Sequence, residues 1–141
     1  MTISGLNFVG VLLATFVSIA SGGMWFGPKT FYPVWMKARG IESGRLSKDH
    51  NPAILFGGTI AGVFIQTLTL GIVLTSLAHA GVEIGVLNGA GIGFLLGAGL
   101  GAFGSLPHRL FGGESFKVWI IETSNDVINL TIAGAFIAAF N

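Results

Sequence analysis

Cysteine is absent from the 141 residues, and only 9% of them are charged. The first absence excludes disulfides and thiolate chemistry, and it leaves the redox compartment unread. The second points away from a soluble domain, which usually carries about 25% Asp, Glu, Lys and Arg. Seven Lys and Arg split between loops make no extended basic stripe, so nucleic acid is not an expected partner. No nucleophile elbow and no nucleotide fingerprint occurs, and nothing in the sequence places Ser, His and Asp together. His50, His79 and His108 fall in different loops and lack metal-ligand spacing. The expectation is therefore a protein that is not an enzyme and holds no metal or cofactor.

What the chain does have is apolar bulk. Hydrophobic residues make up 52%, with 23 glycines and 12 phenylalanines. The mean hydropathy is +0.80. This composition suits close helix packing in lipid. A helix needs about 20 apolar residues to cross the hydrocarbon core. Four stretches qualify, at about 3–26, 52–78, 84–106 and 116–140. The first is too long for a signal-peptide core and has no basic flank before it, so it reads as a retained span. Asn51 is a cap for the second, Pro52 suits its first position and Gly81 ends it. Pro107 is expected to stop the third. Gly112 and Gly113 break the chain before the fourth, and Ser115 caps it. The fold class is all-α: one transmembrane domain over 1–141, a four-transmembrane-helix bundle with a larger loop between helices one and two.

Charge sets the orientation. Lys29, Lys37, Arg39, Arg45 and Lys48 lie in the first loop, and Arg109 and Lys117 flank the third. The tails and the second loop have no basic residue. Basic loops stay in the cytoplasm. Both termini are then outside, and the larger first loop is cytoplasmic. Trp25, Trp35 and Trp119 fall near the same boundary, as interfacial aromatics do. The run from Phe31 through Lys37 mixes aromatics with a basic end and reads as a segment lying in the interface.

Gly81, Gly85, Gly89, Gly93, Gly97 and Gly101 recur every four residues. Small residues at GxxxG spacing let helix backbones approach closely. Each step of four drifts by roughly 40° around the helix, so the stripe winds and no straight partner can use all of it. Gly89, Gly93, Gly97 and Gly101 are the expected packing residues. Span three is expected at the centre of the bundle, with part of the ladder available to a second copy.

The fourth stretch carries Glu122, Asn125, Asp126 and Asn129 within an arc of roughly 100° on one helical face. Charged groups at such depth are costly and mark pathways, cavities or seams. No Lys or Arg lies deeper in any span, so no partner inside the membrane is evident. Gln66 of span two matches the depth of Asp126, while Ser18, Ser21 and Thr59 match Glu122. A polar cluster joining spans one, two and four is one arrangement that depth allows. Toward the outer end the face becomes apolar at Ala133, which favours a dead-end cluster over a continuous channel. Three uses stay open: protonated, internally hydrogen-bonded acids; a wet cavity carrying protons or cations; and a seam with another subunit.

The run Ser21-Gly22-Gly23-Met24-Trp25-Phe26-Gly27-Pro28, then Phe31 and Val34 through Gly40, resembles the start of the domain-of-unknown-function 1761 family. The glycine-rich third span, Leu110-Phe111 and Gly134 extend the likeness over most of the chain. The resemblance implies a small bacterial integral membrane protein with four spans and supplies no activity. The Glu122 and Asp126 pair is not part of that pattern. The leading expectation is a homo-oligomer or a subunit of a membrane complex in the bacterial inner membrane, with the bilayer as partner. The alternative is a small transporter or channel that couples protons or cations through Glu122 and Asp126.

Overall fold

The computed structural model describes residues 3–41 and 51–140. Arg45, Lys48 and His50, counted above among the loop residues, lie outside the described residues. The regular structure is helical: α1 (Phe8–Trp25), α2 (Tyr32–Arg39), α3 (Pro52–His79), α4 (Val86–Leu95), a π-helical segment (Leu96–Ala102), α5 (Phe103–Phe111) and α6 (Phe116–Ala139). Three helices are long and apolar enough to cross a membrane: Phe8–Trp25, Pro52–His79 and the continuous Val86–Phe111. With 24 residues α6 spans roughly 36 Å, long enough to cross too, but its polar face makes it less apolar than these three.

Local chemistry explains most boundaries. Asn51 accepts from the Ala53 N–H and Pro52 opens α3, while Ser115 accepts from the Lys117 N–H to start α6. Gly81 follows α3 at φ 85°, a left-handed conformation that glycine adopts without strain. The first helix begins later than hydropathy suggests. Asn7 Oδ1 accepts from Val9 and Gly10, and Asn7 Nδ2 donates to the Phe140 carbonyl at 2.6 Å. One amide thus caps α1 and ties it to the end of α6. The interfacial segment of the first loop forms a helix of its own, α2, which ends at Gly40 with φ 68°.

Two expectations fail. The third helix does not stop at Pro107 but runs on to Phe111. Proline inside a helix costs about 3 kcal/mol. The added turn brings Arg109 against two carboxylates, and those ion pairs offset the cost. At the join, the Ala102 carbonyl accepts from Ser105 Oγ and Trp119 Nε1, at 2.8 and 3.2 Å. The centre of the bundle is α6, not the glycine-rich third helix. Helices α1 and α3 pack along one side of α6, and α4 with the π-helical segment along another.

The glycine ladder serves that second contact in part. A Cβ on Gly93 would meet the Leu130 carbonyl, and one on Gly89 would meet Ala138 and the Gly134 carbonyl. Gly134 of α6 lies reciprocally against the Gly89 carbonyl, and Gly97 against the Cα of Val127. Gly101 is a correction: its position meets only the Leu96 carbonyl of its own helix. The π-helical turn changes the angular step per residue and carries Gly101 off the α6 face. Gly81, Gly85, Gly91, Gly99 and Gly104 meet nothing within 4 Å.

The apolar core lies between α1, α3 and α6 at one end: Leu6, Val11, Ala14, Leu70, Leu74, Ala133 and Ile137. The packing predicts an asymmetry in detergent melting. Gly93→Val should lower the thermal midpoint by an amount equivalent to about 1–3 kcal/mol or more, the cost of overpacking. Gly101→Val, on the same four-residue spacing, should leave it nearly unchanged. Equal effects at both positions would contradict the close α4–α6 contact.

Candidate functional site

Glu122 and Asp126 are one helical turn apart on α6, yet the structure gives them different surroundings. Glu122 has partners that the sequence did not reveal. Arg109 Nη1 lies 2.6 Å from Glu122 Oε2, and Arg39 Nη1 lies 3.9 Å from Oε1. Trp35 Nε1 donates to Glu122 Oε1 at 2.7 Å. Both arginines also reach Glu114, Arg109 through a short hydrogen bond and Arg39 at 3.8 Å. The Arg39 guanidinium stands 5.2 Å from the centre of the Trp35 ring. Two cations, two anions and an indole thus lock α2, α5 and α6 together.

The residues of this clasp had separate signals in sequence, but their meeting had none. Arg109 lies beyond Pro107, where the helix was expected to end. Arg39 lies in a loop with no predicted element. A helix through the proline and a second helix in the loop bring both guanidinium groups to Glu122. Further support comes from Trp25, whose Nε1 donates to the Ile121 carbonyl at 3.0 Å and whose ring stacks on Phe31.

Asp126 makes no direct ion pair or hydrogen bond among the described residues. It lines a partly open cavity of about 460 Å³ between α1, α3 and α6. Ser18, Gly22 and Gly23 come from α1 and Phe26 from its C-terminal cap, while Phe56, Thr59, Gln66 and Thr67 come from α3. From α6 come Asn125, Asp126 and Asn129. Asn125, Asp126, Asn129 and Gln66 therefore meet around one space, with Ser18 and Thr59 beside them. Ser21 and Glu122 do not line it.

Ser18 Oγ, Asn125 Oδ1 and Asn129 Oδ1 are buried without a hydrogen-bond partner among the described residues. Buried polar atoms without partners are costly and rare in a settled core. The amide nitrogens of Asn125 and Asn129 turn toward Gly22, where a Cβ would stand 3.9 and 3.8 Å from them. A larger side chain there would fill the space, so glycine keeps it open. Toward one end the cavity closes. Thr15 and Thr67 join hydroxyl to hydroxyl at 2.7 Å, and beyond them lies the apolar core of Val11, Leu70, Ala133 and Ile137.

Fold and site define a class: a small all-α bundle with helices apolar enough to cross a membrane and, between three of them, a cavity of mostly apolar walls with a polar cluster on it. Residues 9–138 match the family described as "Protein of unknown function (DUF1761)". The chain belongs to that family. No curated protein and no solved structure matches it.

The clasp makes two measurable claims. Side-chain exposure of 17% for Glu122 and 30% for Arg109 places the pair between buried and surface ion pairs. Arg109→Gln should destabilise the folded protein by about 1–3 kcal/mol, below the 3–5 of a fully buried pair. Glu122→Gln in that background should cost less than it does alone, and strict additivity would argue against the pairing. The hydrogen bond from Arg109 also holds Glu114 below the usual carboxylate range. Its stabilisation is complete above the ordinary carboxylate pKa and is lost as pH falls through the depressed value. Glu114→Gln should therefore weaken the acid dependence of the melting temperature.

Proposed function

We propose that the protein is a non-enzymatic, four-span membrane protein that binds and carries a cationic solute in the α1–α3–α6 cavity. One observation carries the reading: Asp126, a carboxylate with no direct ion pair among the described residues, shares a cavity with unpartnered buried oxygens of Ser18, Asn125 and Asn129. Glu122 has a separate task. Its charge is spent on Arg39 and Arg109, which makes it a structural anchor and leaves Asp126 as the acid at the cavity.

Treating α6 as the fourth span follows from its place. Apolar helices on either side cover part of its polar face: Asn125 is 7% exposed, Glu122 and Asn129 are half-buried, and Asp126 is exposed at the open cavity. The basic loops put the clasp at the cytoplasmic face of a bacterial inner membrane, with both termini outside. The cavity lies nearer that face, and the apolar core closes the outer one.

The absence of cysteine makes topology measurable. Val82→Cys should react with an impermeant maleimide on intact spheroplasts, and Lys37→Cys only after permeabilisation. The reverse labelling would overturn the orientation. In proteoliposomes the full chain should show saturable cation uptake that Asp126→Asn abolishes and Lys37→Gln spares. Absence of flux for every cation tried would sink the carrier reading.

A second reading, self-association, rests on α3. Every residue from Pro52 to Gly62 is exposed, and Gly58 and Gly62, one GxxxG step apart, meet nothing within 4 Å. A molecular mass in detergent equal to one chain plus its micelle would remove it.

A further inference from the structure

We propose that the cavity takes a substituted ammonium ion with an apolar body, in preference to a bare alkali cation. This rests on the reading that the Asp126 cavity is the working site.

Size is the first argument. A water occupies about 30 Å³ of liquid, and an unhydrated alkali ion needs no more room than that. The cavity holds about 460 Å³, within the range of organic-ligand sites. Wall chemistry is the second. Ile19, Phe26, Phe56, Val63 and Leu130 make much of the lining apolar. A compact hydrated ion gains nothing from such walls, whereas an alkyl or aryl body buries its surface against them. The third is the polar lining. It offers the Asp126 carboxylate and the unpartnered oxygens of Ser18, Asn125 and Asn129, which suit a ligand that brings positive charge and polarised C–H or N–H groups. Phe26 and Phe56 add aromatic faces, which attract organic cations as well.

Charge within the site points the same way. Of the titratable groups around Asp126, Glu122 on the same helix is occupied by Arg39 and Arg109. The cavity residues contributed by α1 and α3 carry no charge. No described cation therefore competes for Asp126 by direct contact. Glycines at 22 and 23 leave α1 without side chains where the ligand would lie. A Cβ on Gly23 meets nothing within 4 Å, so that position opens on free space.

The test uses the full chain in nanodiscs and benzyltrimethylammonium as probe, with its neutral isostere neopentylbenzene as control. The ammonium should bind saturably by calorimetry and raise the thermal midpoint. The isostere, NaCl and KCl should do neither. Asp126→Asn should weaken ammonium binding by about tenfold or more, since it removes the only charge that the described residues place on the cavity wall. Gly23→Leu should keep the unliganded melting profile, because its side chain enters open space, and should lose the ligand. Equal binding of the isostere would overturn the proposal, as would a midpoint raised by Na⁺ or K⁺ in place of the ammonium. So would ammonium binding that survives both substitutions. Ammonium binding without flux would defeat the carrier reading and leave this inference standing. Flux of alkali ions without ammonium binding would do the opposite.

Discussion

A helix that carries two carboxylates and two amides on one face needs partners for them, and the bundle is arranged around that constraint. Burying a charge without a partner is costly. The protein meets the cost in two ways on one helix. Near the start of α6, Glu122 is neutralised by Arg39 and Arg109 and hydrogen-bonded by Trp35. A turn further in, Asp126 is left without a direct charge partner and faces a cavity. Placing α6 in the middle makes both solutions possible, because helices on either side supply the partners and the walls.

The rest of the architecture supports that placement. Gly89, Gly93 and Gly97 allow α4 to approach α6 backbone to backbone, at Gly134, Leu130 and Val127. With no hydrophobic drive between helices in lipid, such close contact is what holds them together. On the other side, α1 and α3 meet α6 through a tight apolar core at one end only. At the other end the same three helices diverge around polar side chains, and the exposed first part of α3 reflects that divergence. One end of the bundle is closed by the apolar core, and the other opens on the cavity.

Much of this was legible in the chain before any coordinates. The helical class follows from long apolar stretches, and Asn51, Pro52, Gly81 and Ser115 act where local chemistry puts them. Depth put Gln66 of α3 level with Asp126 of α6, and both line one space; Thr59 and Ser18, matched in depth to Glu122, line that same space although Glu122 does not. What was not legible depended on rotation and on exceptions to local rules. Arg109 could reach Glu122 only if a helix continued through Pro107, and proline argues against that locally. Gly101 left the packing face because a π-helical turn altered the phase of an otherwise regular stripe. Tertiary contacts decided both, and no spacing in the sequence announces them. The same applies to α6 at the centre, since the glycine ladder drew attention to its neighbour.

The separation of the two acids changes how the site is to be understood. A pair of carboxylates one turn apart invites a relay, in which a proton or ion passes from one to the other. The geometry argues against it. Glu122 is held by Arg109, Arg39 and Trp35, contacts that also hold α2 and α5 in place, so releasing it to a relay would loosen the clasp. Asp126 has no such duty and faces the cavity. The clasp is still not independent of the cavity. Phe26 lines the cavity and stands edge-on to Trp35 at 6.0 Å, and Trp35 is bonded to Glu122. The anchor therefore positions one wall of the cavity, and any displacement of Phe26 would act on the Trp35–Glu122 bond through a single ring contact.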